Sequence, residues 1–327
     1  SHWLKSLWSG FDRTEMAIDY YDREIFKGAT FGDIPLGQRP MVMINATDLS
    51  RGRRFVFTQD MFDLLCADLN SFSIARAVTA SSAVPVAFPS VVLKNRAGEC
   101  DLESSPQFQE ILNVKDDTIR RKDFLENTKS YLDKESRPYI HLVDGGISDN
   151  LGLRALSDRI QVFGINPEKF KKGGVKRVLI VLVNSSVSPV RPMDSRPESP
   201  SVGETVAAFT SAMIERLNLE TRSMFFDHRN RLQTQLGEIG LDIDIHVAEV
   251  SFESIKQKSI KAFFNSLPTS LELKGEEVDS LILAGQVLLN EDVGYKMLLK
   301  DLNATQKPID QTTKESLIKR ILPGFFK

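Results

Sequence analysis

The sequence predicts an α/β fold with a mostly parallel sheet and further helices towards the C-terminal end. Residues 139–143 and 178–183 are apolar almost throughout, as in strands that are covered on both faces. Predicted helices alternate with predicted strands, which is the order typical of α/β proteins. With 327 residues, 41% of them hydrophobic, the chain can bury a large core without needing a metal ion or disulfides.

Residues 1–11 predict a helix that carries both tryptophans of the protein. Its apolar residues recur at helical spacing: Trp3, Leu4, Leu7, Trp8 and Phe11. Such a helix packs on a core or, as the alternative, lies at a lipid interface. Because the chain begins with Ser1 and not with methionine, we expect the natural protein to extend further upstream.

The segment 41–138 predicts two short strands, a helix and a polar excursion. Residues 41–45 and 54–58 predict a strand and a returning strand, since the turn formers Asp48, Ser50 and Gly52 separate them. The other features are a helix over 59–70, a small and apolar stretch over 74–92 that Pro85 and Pro89 interrupt, and a polar region over 94–138 that is helical near 118–134.

The second half predicts longer elements. Its features are helices over 151–162, 202–236, 276–289 and 314–322, strands over 178–183 and 242–247, and a loop over 185–201 with four prolines and six serines. We therefore predict a core over 1–185, a Ser/Pro-rich loop over 186–201 and a mainly helical part over 202–327.

Composition excludes several classes of protein. The net charge of −2 argues against a basic nucleic-acid binder. Cys66 and Cys100 are too few for a disulfide framework or a four-cysteine zinc site, and the four histidines show no metal-ligand spacing. No apolar run approaches the roughly 20 residues of a membrane span. We predict no metal and no cofactor.

Asp144 is the strongest candidate for a catalytic residue. It directly follows the predicted strand over 139–143, and Gly145 and Gly146 permit a tight turn and close approach of the backbone to a ligand. A carboxylate at the end of a strand can accept a proton from a nearby hydroxyl group. The alternative is an Asp-Gly turn that merely closes the strand.

The other candidates have structural interpretations. Ser81 and Ser82 lack the Gly-x-Ser-x-Gly spacing of a nucleophile elbow and are expected to pack beside a site. His141 should face away from Asp144, because side chains alternate along a strand. Arg51, Arg53 and Arg54 form a basic cluster that suits either a lipid phosphate or a solvated hairpin face. The segment from Lys171 to Gly174 predicts a turn.

Three segments together resemble the patatin-like phospholipases, which are lipid acyl hydrolases. They are Asn45-Ala-Thr-Asp-Leu49 before Arg54-Phe-Val-Phe57, Ala80-Ser-Ser-Ala-Val-Pro85 with Phe88-Pro89, and Val143-Asp-Gly-Gly-Ile-Ser-Asp-Asn150. The resemblance covers about residues 40–185. It implies a three-layer α/β/α sandwich and a Ser-Asp dyad without histidine, in which Asp144 is the base and Gly145 and Gly146 form the adjoining turn.

The resemblance also implies a nucleophilic serine that these 327 residues do not supply. The sequence contains neither Gly-x-Ser-x-Gly nor Gly-Gly-Gly, so we expect the serine and the oxyanion loop upstream of Ser1. The expected function is hydrolysis of a lipid or phospholipid ester, in the cytoplasm or at a membrane surface. Candidate membrane contacts are the Trp3 and Trp8 segment, the loop over 185–201 and the tail over 321–326.

Two alternative functions remain open at this stage. The first is a catalytically inactive lipid-binding or interaction module of the same fold. The second is a nucleotide-binding α/β protein, although the sequence has no phosphate-loop or dinucleotide fingerprint.

Overall fold

The computed structural model describes residues 12–34, 40–85, 87–115, 117–186, 192–268 and 272–306. The predicted helices over 1–11 and 314–322, the tail over 321–326 and part of the loop over 185–201 lie outside these residues. The chain divides into two compact units: unit 1 is Ser1–Ile165 with Val202–Phe225, and unit 2 is Asn166–Ser201 with Phe226–Lys327. The predicted division into 1–185, 186–201 and 202–327 is a different partition and stays a prediction.

Unit 1 contains one sheet, short helices and the first part of a long helix. Its elements are α1 Arg13–Tyr20, β1 Asn45–Asp48, β2 Arg53–Val56, α2 Gln59–Leu64, α3 Ile74–Ser81, β3 Val91–Lys94, α4 Pro106–Leu112, α5 Ile119–Leu132, β4 Tyr139–Asp144, α6 Gly146–Asp149, α7 Leu153–Phe163 and the start of α9 Val202–Glu238. Asp12, Ser73 and Thr118 cap α1, α3 and α5 by accepting backbone hydrogen bonds.

The sheet of unit 1 has the strand order β2-β1-β4-β3, and all of its strand pairs are antiparallel. The prediction of a mostly parallel sheet, and with it the expected α/β/α sandwich, is therefore wrong. Only four residues separate β1 from β2, and a parallel connection needs a dozen or more. In β4, Tyr139 and His141 are exposed whereas Ile140 and Leu142 are buried, so this strand is not covered on both faces.

Aromatic side chains fill the core between the sheet and the helices of unit 1. Phe55, Phe57, Phe62, Phe72 and Tyr131 contact one another with ring centroids 5.1–6.2 Å apart. Phe55, Phe57 and Tyr131 are at most 1% exposed. Such clusters combine a large buried apolar area with favourable ring geometry, and here they hold the β1–β2 hairpin against α2 and α5.

A buried ion pair lies beside this aromatic cluster. The carboxylate of Asp48 has no exposed surface, and it accepts hydrogen bonds from Tyr131 Oη and Ser50 Oγ, each at 2.9 Å. Arg137 donates to the same carboxylate from a side chain that is 14% exposed. Burial and the nearby carboxylate raise the pKa of Tyr131, so its hydroxyl stays a neutral donor.

The two cysteines form a disulfide, which the sequence analysis did not predict. Cys66 follows α2, and Cys100 lies in the loop after β3. Their sequence separation is 34 residues. Closing a loop of this length restricts the unfolded chain considerably, so the bond should stabilise unit 1.

Reduction of Cys66–Cys100 should lower the free energy of unfolding by about 3–4 kcal/mol, as loop-closure entropy for this separation predicts. Urea unfolding with and without dithiothreitol measures the difference. The Cys66→Ser/Cys100→Ser variant is the control and should unfold at one midpoint in both buffers. An unchanged midpoint for the unmodified protein would argue that the bond contributes nothing.

Unit 2 contains the parallel strand pair. β5 Arg177–Asn184 and β6 Asp244–Ser251 pair in register over eight residues, from Arg177↔Asp244 to Asn184↔Ser251. The other elements are α8 Pro167–Gly173, the end of α9, α10 Lys258–Ser266, α11 Gly275–Glu291 and α12 Val293–Asp301. Phe264 and Ala284 form a small core with Phe252 and Leu281 packed against it.

Candidate functional site

Asp144 is the last residue of β4, as the sequence analysis placed it. It pairs with Ala46 in the neighbouring strand β1. The hydroxyl group of Thr47 donates to the Asp144 carbonyl at 2.7 Å and lies 2.8 Å from Ser148 Oγ. The backbone at Asp144 is thus held from the side of β1, while its side chain is half-buried.

The carboxylate of Asp144 has no cationic partner among the described residues. It accepts one backbone hydrogen bond, from Gly146 N–H to Oδ1 at 2.7 Å, and it makes no ion pair with any residue that the structure describes. Burial raises the pKa of Asp144, and the hydrogen bond from Gly146 opposes this only in part. A carboxylate with a raised pKa is a better proton acceptor than an ordinary aspartate.

Glycine is required at positions 145 and 146 because neighbouring atoms lie too close for a Cβ atom, and not because the backbone angles are unusual. Gly145 has φ −63°, but a Cβ atom there would overlap the carbonyl group of Asn45. A Cβ atom at Gly146 would lie 2.7 Å from Asn150 Oδ1 and 3.0 Å from Asp144 Oδ1. A side chain at residue 146 would therefore push the Asp144 carboxylate out of position.

The C-terminal end of α3 lies against the same turn. Asp144 N–H donates to the carbonyl of Ala83, and Gly145 N–H donates to that of Ser81, both at 3.0 Å. Ser81, Ser82, Asp144, Gly145 and Gly146 all line one pocket of about 530 Å³. The structure thus brings Ser81, Ser82 and Ala83 next to Asp144 and Gly145.

Neither Ser81, the last residue of α3, nor Ser82, which follows it, completes a dyad in this structure. Ser82 Oγ donates to the carbonyl of Val78 at 3.0 Å, which directs its hydroxyl hydrogen into the helix. Within the described residues, no hydrogen bond joins Ser81 or Ser82 to the Asp144 carboxylate. The pocket therefore presents a carboxylate without a bound nucleophile.

Asp149 supports the turn, and the sequence analysis did not assign it a role. Its side chain has no exposed surface and accepts from the N–H groups of Arg154 and Ala155, at 3.2 and 3.0 Å. Arg54 Nη1 contacts it at 3.3 Å. A signal was present in the sequence, because an aspartate shortly before an apolar helical segment is typical of a helix cap.

The hairpin arginines differ in their surroundings. Arg54 is only 16% exposed and pairs with Asp158 at 3.1 Å as well as with Asp149. Arg53 pairs with Asp123 on α5, and Arg51 is exposed. Of the two alternatives for these arginines, the solvated hairpin face does not apply to Arg54, whose charge is neutralised by two carboxylates.

The remaining candidates, His141 and Lys171 to Gly174, are not among the residues that line the Asp144 pocket. His141 is exposed and its Nδ1 lies 3.1 Å from Ser90 Oγ. Lys171, Lys172 and Gly173 form the last turn of helix α8, so the predicted turn over 171–174 is wrong for these three residues; only Gly174, with φ +61°, lies in a turn. Within the described ranges, no cluster of His, Cys, Asp and Glu could hold a metal ion.

Comparisons with known proteins return no match: no protein-family model, curated protein or solved structure matches this chain. Among the helices that the structure describes, none combines the length and the hydrophobicity that crossing a membrane requires.

Proposed function

We propose that this chain provides the aspartate and the adjoining turn of a patatin-like lipid acyl hydrolase. The observation that carries the proposal is the Asp144 carboxylate: it lines a pocket, forms no ion pair within the described part of the chain, and has a pKa that burial raises. In this proposal the nucleophilic serine comes from polypeptide outside the 327 residues.

The proposed reaction has two steps. Asp144 accepts the proton of the serine hydroxyl group while the serine oxygen attacks the ester carbonyl carbon. The tetrahedral intermediate expels the alcohol, which takes up the proton, and an acyl-enzyme remains. Asp144 then accepts a proton from a water molecule whose oxygen attacks the acyl carbon; the serine oxygen leaves, takes the proton back from Asp144, and the fatty acid is released.

The surroundings of the pocket support a lipid substrate. Met41, Val42 and Met43 precede β1 and are 77%, 48% and 48% exposed, and Met43 lines the pocket that contains Asp144. Exposed apolar residues in sequence are a feature of surfaces that contact lipid or protein. The proposed partners are a lipid or phospholipid substrate and a membrane surface at which the protein binds peripherally.

A fluorophosphonate probe tests the proposal on protein that includes the segment upstream of Ser1. The enzyme should be labelled on one serine and should hydrolyse a phospholipid or a p-nitrophenyl ester. A protein that is not labelled and has no turnover, but that binds phospholipid vesicles, would instead be the inactive lipid-binding module.

The pH dependence of kcat/KM should report the raised pKa of Asp144. Asp144 must be deprotonated to act as a base, so activity should fall as the pH drops through its pKa. Because burial raises that pKa above the ordinary value of 3.8, the acid limb should lie above pH 3.8. A rate that stays constant down to pH 3.8 would contradict the assignment.

A further inference from the structure

A second cavity in unit 1 is larger than the Asp144 pocket. Its volume is about 650 Å³, within the range of roughly 300–1,000 Å³ that is common for small-molecule sites. The two cavities share Met43 in their linings; on α6, Ile147 and Ser148 line this cavity, whereas Gly146 and Asp149 line the other. Asp144 itself does not line the larger cavity.

The interior of the larger cavity is apolar. Leu64, Ile111 and Val162 line it and are 2%, 7% and 5% exposed. Phe124 and Phe163 also line it, with ring centroids 5.4 Å apart. An apolar interior of this kind accommodates a hydrocarbon chain, because burial of each methylene group is favourable.

The polar part of the lining is cationic on balance. Six arginines and four carboxylates line the cavity. Arg54, Arg120, Arg53 and Arg159 use these or nearby carboxylates as ion-pair partners. Of the arginines that line the cavity, Arg154 and Arg216 make no ion pair within the described part of the chain.

These two arginines lie where the lining becomes exposed. Arg154 Nε donates to Thr221 Oγ1 at 2.8 Å, which places Arg154 beside α9, the helix that carries Arg216. Arg216 is exposed, and Met213, one turn earlier, is 46% exposed. In addition, Arg54 Nε is a buried donor with no acceptor among the described residues, so the lining still has hydrogen-bonding capacity for a ligand.

We propose that this cavity binds a single-chain amphiphile with an anionic head group, its hydrocarbon chain among Leu64, Ile111 and Phe124 and its head group at Arg154 and Arg216. The head group is a carboxylate or a phosphate, and both have the same requirement for arginine donors. The site goes beyond the proposed hydrolase function, because binding here requires neither Asp144 nor a nucleophile.

Isothermal titration calorimetry of the 327-residue protein, with ligands below their micelle concentration, tests the proposal. Palmitate or palmitoyl-lysophosphatidate should bind at one site, and the tighter of the two identifies the head group. Myristate, two methylenes shorter than palmitate, should bind about tenfold more weakly. Neutral monopalmitoylglycerol should bind at least about tenfold more weakly than the anionic ligands. No binding of either anion, or equal binding of the neutral lipid, would overturn the proposal.

Variants of α9 locate the site. Leu217→Trp fills the cavity that Leu217 lines and should weaken palmitate binding at least about tenfold. Leu219→Trp is the matched control, since Leu219 is 64% exposed and does not line the cavity. Circular dichroism checks that both variants are folded. If Leu217→Trp does not fold, Met213→Trp replaces it, because Met213 lines the same cavity nearer its exposed side.

Charge variants test the head-group contact. Arg216→Glu should weaken palmitate binding at least about tenfold, whereas Arg96→Glu, an exposed arginine after β3 that does not line the cavity, should not change it. Asp144→Asn should also leave binding unchanged. If Asp144→Asn lost palmitate binding while Leu217→Trp bound palmitate normally, the hydrocarbon chain of the ligand would lie in the Asp144 pocket. That result would overturn the proposal.

Discussion

Asp144→Asn should reduce ester hydrolysis about 10²–10⁴-fold in protein that carries the nucleophilic serine, because a positioned general base typically contributes that much. Asparagine has nearly the same shape, and its Oδ1 can still accept the hydrogen bond from Gly146 N–H. What it loses is the ability to accept the proton of the serine. Hydrolysis of a phospholipid substrate at saturating concentration measures the loss.

The stability of Asp144→Asn separates a catalytic role from a structural one. Burial raises the pKa of Asp144, so the ionised carboxylate is unfavourable in the folded protein at neutral pH. Asparagine removes that penalty, and the variant should be at least as stable as the unmodified protein in urea. The control is Asp19→Asn, because Asp19 is an exposed aspartate on α1 and should keep full activity. Substantial ester turnover by Asp144→Asn would refute the dyad assignment.

Arg137→Leu should lower the free energy of unfolding by about 3–5 kcal/mol, the largest loss of stability that we expect from one substitution. Asp48 has no exposed surface, so removing Arg137 leaves a buried carboxylate without a cation. The hydrogen bonds from Tyr131 and Ser50 remain, but neither carries a charge. Urea unfolding followed by circular dichroism measures the change.

A second ion pair of the sheet provides the matched control. Arg53 also pairs with an aspartate, Asp123, but the two side chains are 49% and 41% exposed. Arg53→Leu should therefore lower the free energy of unfolding by no more than about 1 kcal/mol. The double variant Asp48→Asn/Arg137→Leu removes both charges and should recover part of the loss. Equal effects of Arg137→Leu and Arg53→Leu would contradict this account of burial.

Helices were predicted where the residue pattern that indicates them lies within one continuous segment of the sequence. The helix over 151–162 corresponds to α7 Leu153–Phe163, and the helical part of 118–134 corresponds to α5 Ile119–Leu132. In both helices a periodic or polar pattern continues over three turns or more. The strand over 41–45 was placed too early, because β1 begins at Asn45 and strand ends depend on pairing partners.

The site was predicted in part. Asp144, Gly145 and Gly146 are adjacent in sequence, so their common location needed no knowledge of the fold. Their environment did need it: Gly145 contacts Asn45, about 100 residues earlier, and Asp149 contacts Arg54. The disulfide between Cys66 and Cys100 depends in the same way on the fold, since it joins the segment after α2 to the loop after β3.

The sequence by itself determined helices such as α5 and α7, the strand before Asp144 and the two glycines after it, because periodicity and turn chemistry act over a few residues. Only the tertiary structure decided that β4 pairs antiparallel with both β1 and β3. The hydrophobicity of a segment indicates that a strand is buried, but its hydrogen bonds to distant segments determine whether it pairs parallel or antiparallel. The same long-range pairing places the Asp144 carboxylate half-buried in a pocket, and this burial raises its pKa.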